Sequence, residues 1–199
     1  MLQENTNTKI YLNIVNGKIA QKVEESTSGA RSRKNKNGVE VWEKLYNSVS
    51  GTITSLKMDD SQYGKQLKVG LNDGELLTIP VASAYFSTFV NKIGNVKLAK
   101  EVKIAPYNFE AEGKKKSGIT IYQDGEKVEW FISKDNQPKG YPAYPAEKDD
   151  SAWKKYLIDK EDWEVKYIDT IKLSVSPGEA ATSLSTDDFM DEGKEEIPF

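Results

Sequence analysis

The hydrophobic positions of the chain fall mostly into short runs that alternate with polar ones, the period-2 pattern of strands with one buried face. Lys9 to Val15 reads as a strand, Asn16-Gly17 as a hairpin turn and Lys18 to Val23 as the returning strand. Glu24 to Gly38 contains Ser, Gly, Asn, Lys and Arg but no large apolar residue, and reads as a mobile loop. A long β segment follows from Val39 to Met58, with Gly51 as the point where it bends. Leu67, Val69 and Leu71 share one face of Gln66 to Asn72, and Asp73-Gly74 turns that strand into Glu75 to Val81. From Ala82 to Ile93 the period changes: Tyr85, Phe86, Phe89, Val90 and Ile93 recur at helical spacing, and Gly94 stops the helix. Strands resume at Val96 to Ala105, Ser117 to Gln123 and Lys127 to Ile132, the last two joined by Asp124-Gly125.

A long bent strand, a hairpin, a helix and further strands follow one another in the order of an OB-fold. That fold is a five-stranded Greek-key barrel, here expected with one helix between its third and fourth strands. The fold class expected is mainly β. Beyond the prolines of Pro138 to Pro145, Asp150 to Asp159 reads as a short helix. Trp163 to Val175, with Val165, Tyr167, Ile171, Leu173 and Val175 alternating, reads as an accessory strand packed on the barrel. Residues 1-175 then form one domain with accessory N- and C-terminal strands. After Pro177-Gly178, Ser, Thr, Ala and acids dominate, so 176-199 reads as a disordered acidic tail.

Charge sharpens that division. Seven acids against Lys194 leave residues 176-199 at -6; the whole chain has 28 bases and 31 acids, so residues 1-175 hold 27 bases and 24 acids, a charge of +3. A basic body with an acidic tail is the asymmetry of a protein whose body meets a polyanion. Cysteine and histidine are both absent, which removes disulfides, Cys/His zinc sites, thiol nucleophiles and imidazole bases. No Gly-rich phosphate loop is present, and Asp59-Asp60 and Asp73-Gly74 read as turn residues rather than magnesium ligands. The expectation is a binding protein, not an enzyme, with no cofactor and no metal. No run approaches the ~20 apolar residues of a membrane span. Met1-Leu2-Gln3-Glu4-Asn5 lacks the features of a signal peptide, so the expected location is the cytosol, away from membranes.

The last residues carry the most specific motif: Asp187, Asp188, Phe189, Met190, Asp191 and Glu192, then Gly193 and Lys194, then Glu195, Glu196, Ile197, Pro198 and Phe199. This segment resembles the end of bacterial single-stranded DNA-binding proteins, a run of acids followed by Ile-Pro-Phe, with Gly193 and Lys194 interrupting the acids. Three further stretches resemble bacteriophage-encoded single-stranded DNA-binding proteins: Ser50-Gly51-Thr52-Ile53 through Lys65-Gln66-Leu67, Ile104 to Phe109, and Gly118 to Val128. The resemblance implies a protein of phage genome replication working in a bacterial host, with DNA on the barrel and replication, recombination and repair proteins on the tip. The tip also makes physical sense as a ligand. Phe199 offers an aromatic plug, Pro198 limits the conformations lost on binding, and the acids steer toward a basic pocket. The bland alternative is a solubilising tail, to which Phe199 would contribute nothing.

Single-strand binders combine basic grooves with rings on which bases stack. If Val39 to Tyr46 is extended, Trp42, Lys44 and Tyr46 share a face with Glu40, while Val41 and Leu45 lie opposite. Trp42 then either stacks on bases or packs beneath the preceding loop. Arg31, Arg33, Lys34 and Lys36 form the densest basic cluster, in that loop, and are candidates for a phosphate clamp. Lys103, Tyr107 and Phe109, and Thr120 with Tyr122, flank the loop lysines Lys114, Lys115 and Lys116 and form a second candidate groove. Tyr122 is divided between stacking and core, and Trp130 is assigned to the core with Val128 and Ile132, as are Tyr85, Phe86 and Phe89 on the helix. Tyr141 and Tyr144 either stack or pin the proline-rich connection. Competing readings are a replisome or recombination adaptor whose barrel binds protein, an RNA-binding OB protein, and a magnesium-dependent nuclease.

Overall fold

The computed structural model describes residues 9-34, 38-72, 74-133, 136-146 and 149-173. Within them the chain forms β1 (Ile10–Val15), β2 (Lys18–Lys22), β3 (Arg31–Lys34), β4 (Glu40–Tyr46), β5 (Val49–Ser61), β6 (Gly64–Leu71) and β7 (Glu75–Pro80). Helix α1 (Ala84–Ile93), β8 (Glu101–Ala111), β9 (Lys114–Gln123), β10 (Glu126–Lys127) and helix α2 (Asp150–Leu173) follow. The architecture is mainly β, one mixed ten-stranded sheet in the order β10-β9-β8-β5-β6-β7-β1-β2-β4-β3. The sheet is not a closed five-stranded barrel, and α1 lies between the seventh and eighth strands of the chain, not the third and fourth.

Strand β5 joins the two wings of the sheet: Val49 to Thr52 pair with β8, and Ile53 to Ser61 pair with β6. The change of partner falls just after Gly51, where a bend is expected. The strand expected over Val39 to Met58 is also interrupted at Asn47-Ser48, between β4 and β5, and the β5–β6 ladder is irregular between Ile53 and Ser55, where the bare Cα of Gly70 leaves room for the Ser55 hydroxyl. Such an irregularity bends and twists a strand locally. All pairings are antiparallel except β1 with β7, which brings Leu12 beside Leu77 in the core.

The alternating apolar residues fill one core: Leu67, Val69, Leu77, Ile79, Ile104 and Ile121 are buried together with Phe86, Phe89 and Val90 of α1, as their periodicity predicts. Ser83 caps α1, its hydroxyl accepting from the Phe86 N–H at 3.4 Å. Thr88 ties α1 to β9 by accepting from the Ile119 N–H at 2.9 Å.

Trp163 to Leu173 is helix rather than strand, continuous with the segment from Asp150. The apolar residues satisfy both periods, but Tyr156, Trp163, Tyr167, Ile168 and Ile171 share a helical stripe, and all are buried. Ser174 and Val175 lie outside the described residues. Asp149 starts the helix by accepting from the N–H groups of Ser151 and Ala152, both at 3.2 Å. Trp163 sits between Tyr167, stacked at 4.9 Å between centroids, and Tyr141, edge-on at 5.1 Å. Tyr141 thus pins the proline-rich connection, and Tyr144 packs its ring 5.1 Å from Tyr156. Ser87 donates to Glu164 at 2.7 Å, locking α2 to α1.

Three smaller expectations change. The segment Glu24 to Gly38 contains strand β3, the strand after Asp124-Gly125 is only Glu126–Lys127, and β8 begins at Glu101 rather than Val96.

Candidate nucleic-acid interface

The β8–β9 hairpin is the longest ladder of its wing, running from Val102↔Gln123 to Ala111↔Lys114. Opposed residues in such a ladder share a face and neighbours alternate. Ile104↔Ile121 and Pro106↔Ile119 therefore turn inward, and all four are buried. The other face carries Lys103↔Tyr122, Ala105↔Thr120, Tyr107↔Gly118, Phe109↔Lys116 and Ala111↔Lys114. One outward surface thus collects three rings and three lysines. Lys103 Nζ lies 5.8 Å from the Tyr122 ring centroid, and the Tyr107 and Phe109 rings are 5.6 Å apart. The Tyr107 ring lies across Gly118, where a Cβ would meet its hydroxyl at 2.6 Å. Phe109 is 51% exposed.

Lys114, Lys115 and Lys116 were expected on a loop; they belong to β9, because Glu112 and Gly113 make the turn at φ 54° and 68°. Lys115 stands opposite Glu110, out of step with Lys114 and Lys116, but this end of the ladder is exposed, and Lys115 and Lys116 both border the space toward α1. Tyr122, divided between stacking and core, is exposed.

The second candidate group is split by its own register. Arg31 faces Glu43 and Arg33 faces Val41, whereas Ser32 faces Trp42 and Lys34 faces Glu40. The two arginines and the Trp42 ring consequently lie on opposite faces of β4. Arg31 and Arg33 are not loop residues but a pair of cations closing on one buried carboxylate. Arg31 donates to Glu43 Oε1 at 2.8 Å and Arg33 to Oε2 at 2.7 Å. Burial pushes the Glu43 carboxyl up, but the hydrogen bonds and charges of Arg33 and Arg31 outweigh it, and the group titrates below its ordinary value. Both guanidiniums keep a solvent-facing side, so a net positive charge remains at that edge. Lys34 is exposed on the opposite face of β3 from the arginines, and Lys36 lies outside the described residues.

Trp42, Lys44 and Tyr46 share a face, as their spacing predicts, but it is not a purely polar one. Through Tyr46↔Ile19 and Ile19↔Ile14 it continues the core side of β1 and β2. Trp42 is half-buried there, Tyr46 donates to Gln21 at 3.0 Å, and Lys44 Nζ lies 5.9 Å from the Tyr46 ring centroid. The β1–β2 turn connects this group to the first. Gly17, in left-handed backbone at φ 75°, lies against Tyr107 and Asn108 of β8, where any side chain would strike the backbone.

Trp130 is the residue most clearly misassigned by pattern. Val128 and Ile132 are buried, but β10 ends at Lys127, alternation no longer holds, and Trp130 is 46% exposed. Lys92 Nζ sits 4.3 Å from its ring centroid and donates to the Val128 carbonyl at 2.6 Å. Burial, then the charge of Lys127, lower the Lys92 pKa against the opposing pull of Glu129. Between α1, the β8–β9 hairpin and Trp130 opens a cavity of about 670 Å3, walled by Tyr107, Phe109, Lys115, Lys116 and Lys127 among others. Lys92 on α1 gave no sequence signal beyond interrupting an apolar stripe.

The tip residues Asp187, Asp188, Phe189, Asp191, Glu192, Glu195, Glu196, Ile197, Pro198 and Phe199 lie outside the described residues. Among the described residues no group of three or more acids is placed to hold a metal ion, and no helix is long and apolar enough to cross a membrane. Comparison with known protein families, curated proteins and solved structures returned no match.

Proposed function

We propose that the chain binds single-stranded DNA without sequence preference through an OB-type unit formed by β5 to β9, and recruits partner proteins through its acidic tail. The observation that carries this reading is the outward face of the β8–β9 hairpin, where Lys103, Lys114 and Lys116 alternate with Tyr107, Phe109 and Tyr122. Lysines that track a phosphate backbone and rings that accept any base are the two requirements of sequence-tolerant binding. The OB-type assignment is supported by the meander β5–β6–β7, by α1 before β8, and by the return of β8 to pair with β5. Helix α1 packs against both β7 and β9, the strands whose pairing would close a barrel. The same unit would serve phage DNA replication, recombination and repair in a bacterial cytoplasm.

Labelled oligo-dT, oligo-dA, oligo-rU and a duplex, titrated by fluorescence anisotropy, test the reading. The two DNA single strands are expected to bind with similar affinity, the duplex more weakly, and the RNA arm separates an RNA-binding protein from a DNA-binding one. Failure to bind any single strand would overturn the proposal and favour the adaptor reading. That second reading has its own observation: Leu157 and Ile158 on α2 are 57% and 62% exposed, beside the partly exposed Trp153. For the tail, pull-downs from a bacterial lysate with the full chain, a chain ending before Pro177 and Phe199→Ala are expected to recover partners only with the first. Equal recovery by all three would make the tail a solubiliser.

A further inference from the structure

Lys92 is 1% exposed, and its ammonium is held by the Val128 carbonyl and the Trp130 ring. Glu129 attracts it from a distance, and among the described residues no carboxylate closes to an ion pair with it. A buried cation without a close ion pair is costly, and here the carbonyl and the ring that hold it also fix its position. This cation lines a cavity whose outer wall adds Lys115, Lys116 and Lys127, a concentration of positive charge with no matching acid in the lining. The cavity's other feature is aromatic. Lys92 occupies one side of the Trp130 ring, fixing its orientation by a cation–π contact, and almost half of the residue's surface remains open. Phe109 forms part of the opposite, hairpin wall. At about 670 Å3 the space falls within the roughly 300 to 1,000 Å3 of small-molecule sites.

We infer that this cavity seats one nucleotide unit, its base stacked on Trp130 and its phosphate neutralised by Lys115, Lys116 and Lys127, with Lys92 as the positioning residue beneath the ring. The inference rests on the single-strand reading for its biological ligand, but a free mononucleotide offers the same chemistry. A strand crossing the outward face of β8–β9 would deliver one base into the cavity at Phe109 and Lys116, which belong to both surfaces.

The test is calorimetric titration of the full-length protein with dTMP, thymidine, inorganic phosphate and oligo-dT, repeated with Trp130→Ala, Lys127→Gln and Lys92→Met. Trp130 is half exposed, so its removal is compatible with folding, and Lys127→Gln provides a second variant on the surface. The wild type is expected to bind dTMP more tightly than thymidine or phosphate alone, because both halves of the ligand are used. Trp130→Ala is expected to weaken dTMP and oligo-dT binding about tenfold or more. Lys127→Gln should weaken dTMP and leave thymidine unchanged, and Lys92→Met, which frees the ring's orientation, should weaken both dTMP and thymidine. Binding of dTMP without oligo-dT would sink the single-strand reading and leave a free-nucleotide site. Oligo-dT binding that is unchanged in Trp130→Ala, with no dTMP binding, would overturn the cavity assignment while the single-strand reading stood.

Discussion

Phe109 and Lys116 stand directly opposite each other across the β8–β9 ladder, a half-exposed ring beside an exposed ammonium on one surface. Under the proposed function, such a pair would meet a base and a phosphate of the same strand. Phe109→Ala is expected to reduce oligo-dT affinity by about 1 to 3 kcal/mol, the contribution of one stacked base. Its melting temperature should stay close to the wild type, because the ring supports little of the core. A large drop in melting temperature with unaltered affinity would reassign Phe109 to structure.

Helix α2 makes the opposite kind of claim. Ile168 is fully buried on its inner stripe, whereas Leu157 is exposed. Ile168→Ala should cost about 2 to 5 kcal/mol in urea unfolding, and Leu157→Ala about 0.5 kcal/mol or less. On a strand, Ile168 would point away from Trp163, Tyr167 and Ile171, so a negligible loss at Ile168 would contradict the helical register.

The Arg31–Glu43–Arg33 cluster predicts a pH dependence. Glu43 has a folded pKa below its ordinary value of 4.5, so its stabilising contribution is present above that value and is lost as pH falls through the folded pKa. Asp59 and Asp149 are lowered as well, each mainly by a side-chain hydrogen bond, from Lys68 and Ser151 respectively, so the wild-type profile sums several groups. Glu43→Gln isolates one of them. The variant should be less stable by about 1 to 3 kcal/mol at pH 7, and the gap from wild type should narrow as pH falls below 4.5. A gap independent of pH would mean that the ion pairs contribute nothing beyond packing.

Much of this surface was legible in the sequence, and the failures have physical causes. Tyr107, Phe109 and Tyr122 stand out as rings beside lysines, but the strand expected over Val96 to Ala105 extends to Ala111, so the face shared by Tyr107 and Phe109 follows only from the ladder. Asn16-Gly17 and Asp124-Gly125 announced their turns, and both adopt the positive φ values such turns require. Glu112-Gly113 makes a turn of similar conformation, but the following lysines hid it, and three strand residues were read as loop. Strand β3 has no apolar residue to betray it; Arg31 and Arg33 are held by Glu43, a pairing 10 to 12 residues away that periodicity cannot report. The start of α2 matches the short helix expected over Asp150 to Asp159, whereas its second half reads as a strand because Val165, Tyr167 and Ile171 fit both a period of two and a period of 3.6. Trp130 was misplaced because the strand it was assigned to ends at Lys127.

The salt dependence of oligo-dT binding tests the central claim most directly. Each phosphate neutralised on a single strand contributes a slope of about -0.7 in log K against log salt. Wild-type protein is expected to show a steep negative slope, and a variant carrying Lys103→Gln, Lys114→Gln and Lys116→Gln a slope shallower by about 2. Binding independent of salt, or an identical slope in both proteins, would contradict the assignment of the β8–β9 face as the surface that meets DNA.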